Sequence, residues 1–116
     1  MNIYNAHFSL KGGIHDLDFV RALEAYMAFL KAERRIESWR LMRRKLGLGP
    51  AALGDWHLMI EFIDLAQLDT AFLHVATRTG AVEAKHHCVN HMVNQVTFSL
   101  YRDFPDDVRQ TGGELF

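Results

Sequence analysis

The residues best suited to chemistry in this chain are its histidines, seven in 116 residues. Three of them crowd the stretch His86-His87-Cys88-Val89-Asn90-His91. Imidazole is the side chain that gains and loses a proton near neutrality. His86 shares helical spacing with Val82, Val89 and Val93, which aims it at the core. A neutral ring there can accept a proton or contact a ligand. The same position also suits a core histidine satisfied by backbone or carboxylate. His87 and His91 stand one helical turn apart, a spacing that metal ligands use, and Glu83 lies one turn before His87 as a third donor. A solvated helix face carries the same residues, no second motif supports a metal, and none is expected. Cys88 has no second cysteine to pair with, so a small buried apolar residue is expected rather than a reactive thiolate.

Elsewhere the chemistry is thinner. His7, Arg40 and Glu61 fall on one sheet face by alternation. His7 and Glu61 sit on strands expected to adjoin, where a cross-strand ion pair would fix the register of two subunits or, inside a cavity, exchange protons. Arg43-Arg44-Lys45 marks a hairpin tip that suits phosphate or plain solvent. Gly47-Leu48-Gly49 runs into Pro50 and not into a helix start with a further spaced glycine, so it is no nucleotide loop. No Ser–His–Asp set can be assigned from spacing.

The elements that must position these residues follow from periodicity. Ile3 to Leu10 alternates, with Tyr4, Ala6, Phe8 and Leu10 on one face. After Gly12-Gly13, a helix starts at Asp16 and carries Phe19, Val20, Leu23, Met27 and Leu30 as its stripe. A second strand is expected over 36–46, with Trp39 and Leu41 on one face, and a third over 56–63. Asp64 and Gln67 have capping-box spacing ahead of a helix bearing Leu65, Leu68, Phe72, Val75 and Ala76. Thr79-Gly80 ends or interrupts that helix, and a second piece runs over 82–90. The last strand spans 92–101, with Val96, Phe98 and Leu100 opposite Gln95, Thr97 and Ser99. This order, βαββαβ, is the ferredoxin-like split unit: a four-stranded antiparallel sheet with helices on one face. The second face mixes Asn5, His7, Arg40, Met42, Arg44, His57, Met59, Glu61, Gln95 and Thr97, a composition suited to partial burial against another subunit.

Bulk properties narrow the function. A chain of 116 residues with 49% hydrophobic and 23% charged residues is an ordinary globular domain, expected over 1–105 with a loose polar tail over 106–116. A net charge of −1 draws in neither nucleic acid nor an anionic membrane. One cysteine, with neither a basic leader nor a long apolar run, fits the cytoplasm.

The βαββαβ order, the overlong second helical region, and the stretch Phe72-Leu73-His74-Val75 leading to His86 resemble the dimeric α+β barrel superfamily. That group includes antibiotic-biosynthesis-type monooxygenases, haem-degrading monooxygenases and stress-responsive A/B barrel proteins. Ile36-Glu37-Ser38-Trp39-Arg40-Leu41 and Leu100-Tyr101-Arg102-Asp103-Phe104-Pro105 look like segments of an uncharacterised bacterial family within it. The resemblance covers roughly residues 2–104. It implies a homodimer in which two sheets face each other as a barrel, with any ligand between the sheet and helices of one subunit. In the haem-degrading members an Asn on the first strand, a Trp on the second helix and a later His hold the cofactor. Asn5 and His86 match the outer two, but Ala76 and Thr77 stand where the Trp belongs.

The leading expectation is a small-molecule-binding protein or cofactor-independent enzyme, with His86 as polar and candidate catalytic contact and Tyr4, Trp39 and Phe72 lining an apolar pocket. The alternatives are a non-catalytic dimeric module with a packed interior, and a haem-handling monooxygenase.

Overall fold

The computed structural model describes residues 1–106. Its elements are β1 (Asn2–Leu10), α1 (Asp16–Ala32), β2 (Ser38–Arg43), β3 (Trp56–Phe62), α2 (Leu65–Ala76), α3 (Gly80–Asn90) and β4 (Val93–Arg102). The strands form one antiparallel sheet in the order β2-β3-β1-β4, the ferredoxin-like arrangement. Of the polar tail expected from residue 106, positions 107–116 lie outside the described residues.

The alternation of β1 divides the sheet as its sequence requires. Ala6 and Phe8 are buried beneath the helices, while Ile3, Asn5 and His7 take the other face. Helix α1 supplies the stripe that covers the first face: Phe19, Leu23, Tyr26, Met27 and Leu30 are all buried. Asp16 and Asp18 in its first turn favour the positive end of the helix dipole. Phe19, Phe62, Leu23 and Met27 are the most enclosed side chains of the core. Trp39 packs against this core from β2.

Helix α2 begins as its capping residues dictate. Asp64 accepts from the Gln67 backbone N–H at 2.8 Å, and the Gln67 side chain reaches back to the Ile63 N–H at 2.7 Å. The Gln67 amide also donates to Glu37 at 2.9 Å, tying the start of α2 to the turn after α1.

Three departures from regularity matter. Strand β2 is shorter than the 36–46 expected: Ile36 is buried ahead of it, and Leu46 turns into the left-handed region with φ 56°. The helical region breaks at Thr77-Arg78-Thr79, where Arg78 itself has φ 54° and Gly80, φ 66°, opens α3. Strand β4 carries a bulge. His7 faces Thr97 and Ser9 faces Asn94, so Phe8 alone stands opposite both Gln95 and Val96, with Gln95 at φ 54°. The extra residue shifts the alternation, so that Val93, Val96 and Phe98 all face the helices.

Candidate ligand site

A cavity of about 200 Å³ lies between the helical layer and the strands β3, β1 and β4. Its body is apolar. The Tyr4 ring stacks on Phe98 at 5.6 Å and meets the edge of Phe72 at 5.2 Å. Ala71 and Val75 from α2, Leu23 and Met27 from α1, and Val89 from α3 complete the wall.

The polar end is built by α1 and α3. His86 and Tyr26 both line the cavity, their rings 5.9 Å apart edge to face. The His86 side chain is 18% exposed, so this end reaches solvent. Arg78 Nη1 lies 3.1 Å from His86 Nδ1 and 3.8 Å from Glu83 Oε2, and Glu83 Oε2 lies 3.6 Å from the same ring nitrogen. Burial pushes the His86 pKa down; Arg78 pushes the same way, and Glu83 opposes both. The ring is therefore neutral at physiological pH. Burial raises Tyr4 to about 12, and burial together with the Glu83 charge raises Tyr26 to about 12. Both phenols stay protonated, and neither hydroxyl bonds to a protein group among the described residues.

The expected residues divide. Tyr4, Phe72 and His86 line the cavity, whereas Trp39 does not. Trp39 faces the helical side opposite Ile60, but on the edge strand β2, beyond the cavity's floor. Tyr26 and Asn90 also line the cavity and Arg78 contacts His86; none of the three was expected. Tyr26 belongs to the same helical stripe as Leu23 and Leu30, which is the signal that could have found it. Arg78 sits in an interhelical turn that periodicity does not reach.

The other face holds its polar residues as expected but pairs them differently. His7 stands opposite His57, and Glu61 opposite Ile3, so four residues of β3, roughly 13 Å, separate His7 from Glu61. The expected ion pair between them does not form. His7 instead stacks on His57 at 4.1 Å, and His57 Nε2 lies 2.8 Å from the side-chain oxygen of buried Asn5. Glu61 accepts from the Ser38 hydroxyl at 2.8 Å, and Arg40 stands exposed opposite Met59. Asn5 is thus committed to His57 on the open face, away from the cavity.

The remaining candidates are placed plainly. His87 and His91 stack at 5.3 Å, with His91 Nδ1 on the His87 carbonyl at 2.7 Å. Glu83 turns to Arg78 and His86, and no cluster of three or more metal-ligating side chains occurs among the described residues. Cys88 is exposed, not buried, because the helix directs Val82, His86 and Val89 inward and leaves Cys88 outside. Arg43 lies over Trp56 and reaches Asp16 at the start of α1, while Arg44 donates to the Pro50 and Leu53 carbonyls and so serves the hairpin loop. No helix among the described residues is long and apolar enough to cross a membrane.

Solved structures share this fold at low identity. At3g17210 from Arabidopsis thaliana superposes with a TM-score of 0.72 at 9% identity, covering 93% of this chain and 100% of its own. SnoaB, a cofactor-independent oxygenase from Streptomyces nogalater, gives 0.65 at 11% identity over 90% and 97% of the two chains. A dimeric ferredoxin-like protein of unknown function from a Jannaschia species gives 0.65 at 10% identity over 88% and 98%. No curated protein matches the sequence. The family profile described as "Family of unknown function (DUF6614)" matches residues 1–116, and the chain belongs to that family.

Proposed function

We propose that the protein binds a small, mostly apolar organic molecule in the cavity between sheet and helices, with His86 as its polar contact. The observation that carries this reading is an apolar space of about 200 Å³ whose few polar lining groups include a neutral imidazole and two protonated phenols. An apolar cavity of about 150 Å³ holds benzene, so a bicyclic aromatic compound suits this one. A neutral ring beside a bound ligand can also move a proton, which makes His86 the candidate catalytic residue for cofactor-independent chemistry. The likeness of fold to a cofactor-independent oxygenase supports the same direction. Asn5 turned to His57, with Ala76 and Thr77 at the Trp position, favours a ligand other than haem. The Arg44 guanidinium, spent within the hairpin, and that of Arg43, paired with Asp16, speak against nucleic acid, and the single free Cys88 suits a reducing cytoplasm.

The test is thermal unfolding with indan-1-one, indole and 2-naphthol as probes. At least one should raise Tm, by the equivalent of about 2.7 kcal/mol at a hundredfold excess over Kd. His86→Ala should lose that rise while remaining folded. No shift with any of the three, or an undiminished shift in His86→Ala, refutes the reading.

We propose further that two copies pair through the open sheet face. Ile3, Met42, Met59 and Tyr101 give that face an apolar component around the His7–His57 stack. Fold relatives described as dimeric support it. Light scattering should give twice the chain mass for the wild type and the single mass for Met59→Glu; a monomeric wild type refutes it.

A further inference from the structure

We infer that Arg78 sets the tautomer of His86, so that the polar corner of the cavity presents hydrogen-bond donors and takes an aromatic ligand bearing a carbonyl or other acceptor oxygen. The ligand half rests on the proposed function; the tautomer half stands without it.

A guanidinium has no acceptor. The 3.1 Å contact between Arg78 Nη1 and His86 Nδ1 therefore requires Nδ1 to present its lone pair. In a neutral ring the proton is then on Nε2, the nitrogen left free of Arg78 and Glu83. Glu83 favours the opposite state. Its Oε2 is buried without a hydrogen bond, 3.6 Å from the same Nδ1, and would accept a proton held there. Two neighbours thus compete for one nitrogen, and the shorter contact belongs to the donor.

With Nε2 protonated, the imidazole N–H joins the hydroxyls of Tyr4 and Tyr26, neither of which bonds to a protein group among the described residues. The cavity lining then carries the His86 N–H and two phenol hydroxyls, with the Asn90 amide as its other polar side chain and no carboxylate. A carbonyl, enolate or phenolate oxygen meets the imidazole N–H; a ligand whose one polar group is an N–H leaves that donor unpaired and can bond only to a phenol or amide oxygen. Burial first and Arg78 second disfavour the charged ring, against the charge and hydrogen bonding of Glu83.

The backbone supplies a clean variant, although Arg34 holds the same conformation after the C-cap of α1. Arg78 sits at φ 54° directly after the C-cap of α2, a place where glycine is the usual residue and any Cβ is strained. Glycine there keeps the turn and removes only the guanidinium.

The experiment is long-range ¹H–¹⁵N correlation of the imidazoles in the labelled full chain, with His86 assigned by its loss in His86→Ala. The wild type should show the Nε2–H form. Arg78→Gly should shift the ratio toward Nδ1–H by on the order of tenfold or more, with Tm no lower than wild type, and Arg78→Lys, which keeps a donor, should retain Nε2–H. Indan-1-one offers only an acceptor and indole only a donor at nearly equal size. The wild type should prefer indan-1-one by about tenfold in Kd, and Arg78→Gly should narrow that to within about threefold. An Nδ1–H ring in the wild type, or the same spectrum in Arg78→Gly, overturns the role of Arg78. Equal affinity for the two probes overturns the ligand class. If neither probe binds, the ligand class is overturned, and if 2-naphthol fails as well the proposed function falls with it; the spectra alone then judge Arg78.

Discussion

Replacing Ala71 by leucine distinguishes a void from solid packing by the sign of one number. Ala71 is 3% exposed on α2 and forms part of the cavity wall. Leucine adds three carbons beyond Cβ. At roughly 0.8 kcal/mol per buried methylene, filling the void contributes at most about 2.4 kcal/mol. Ordering the longer side chain costs about 0.5–1 kcal/mol, and the helix propensities of alanine and leucine are close. The expected net gain is about 1–2 kcal/mol, or a rise in Tm on the order of 4–8 °C for a chain of this length. In a filled core the same leucine overpacks and costs about 1–3 kcal/mol. Urea unfolding followed by the fluorescence of Trp39 and Trp56, at one fixed protein concentration, reads the sign. The same titration with indan-1-one reads the consequence: a plugged cavity should lose the stabilisation that the probe gives the wild type. Destabilisation of about 1 kcal/mol or more, or a gain with the probe effect intact, would refute the reasoning that an accessible void adjoins Ala71.

The pH dependence of stability should carry the signature of the open sheet face. Burial, with His7 adding to it, lowers the His57 pKa from its ordinary 6.5; the unfolded chain therefore binds more protons in this range, and stability present above pH 6.5 is lost as pH falls through the lowered value. His86 acts with the same sign, so His57→Gln should flatten, without abolishing, the loss measured by urea unfolding between about pH 7.5 and 5; an unchanged slope would remove His57 from this account. Gly54→Ala should cost at least about 2 kcal/mol, because a Cβ there runs into the carbonyl carbon and oxygen of Phe8, which are backbone and cannot swing aside. A variant close to wild type in the same assay would mean that the loop does not press on β1 as described.

Much of this architecture was legible because each element buries one face with one period. Tyr4, Ala6 and Phe8 alternate, Phe19, Leu23 and Leu30 recur at helical spacing, and Asp64 and Gln67 cap α2 as their types demand. The inward direction of His86 was legible for the same reason: Val82 and Val89 fix the inward side of α3. Features that depend on register or on the position of a neighbour were not legible. Trp39 has the correct face but an edge strand, and only the sheet order reveals that. His7 and Glu61 share a face and adjoining strands, yet pairing also needs their register. The Gln95 bulge breaks the alternation of β4 without a glycine to announce it.

The position of the site follows from a mismatch of lengths. An unbroken helix from residue 65 to 90 would run about 39 Å, whereas the nine residues of β1 span about 30 Å. A helix that long overshoots the sheet it must cover, so the chain breaks it and turns α3 back to bring Val82 and His86 to the core. The break requires a left-handed residue after the C-cap. A non-glycine residue in that conformation costs about 1–2 kcal/mol, and glycine at position 78 would remove the cost. The chain has an arginine there, and its guanidinium returns to the first imidazole that the turned helix presents. The same geometry makes Arg78→Gly the decisive variant, since the change that relaxes the turn is the one that releases His86 Nδ1 to Glu83.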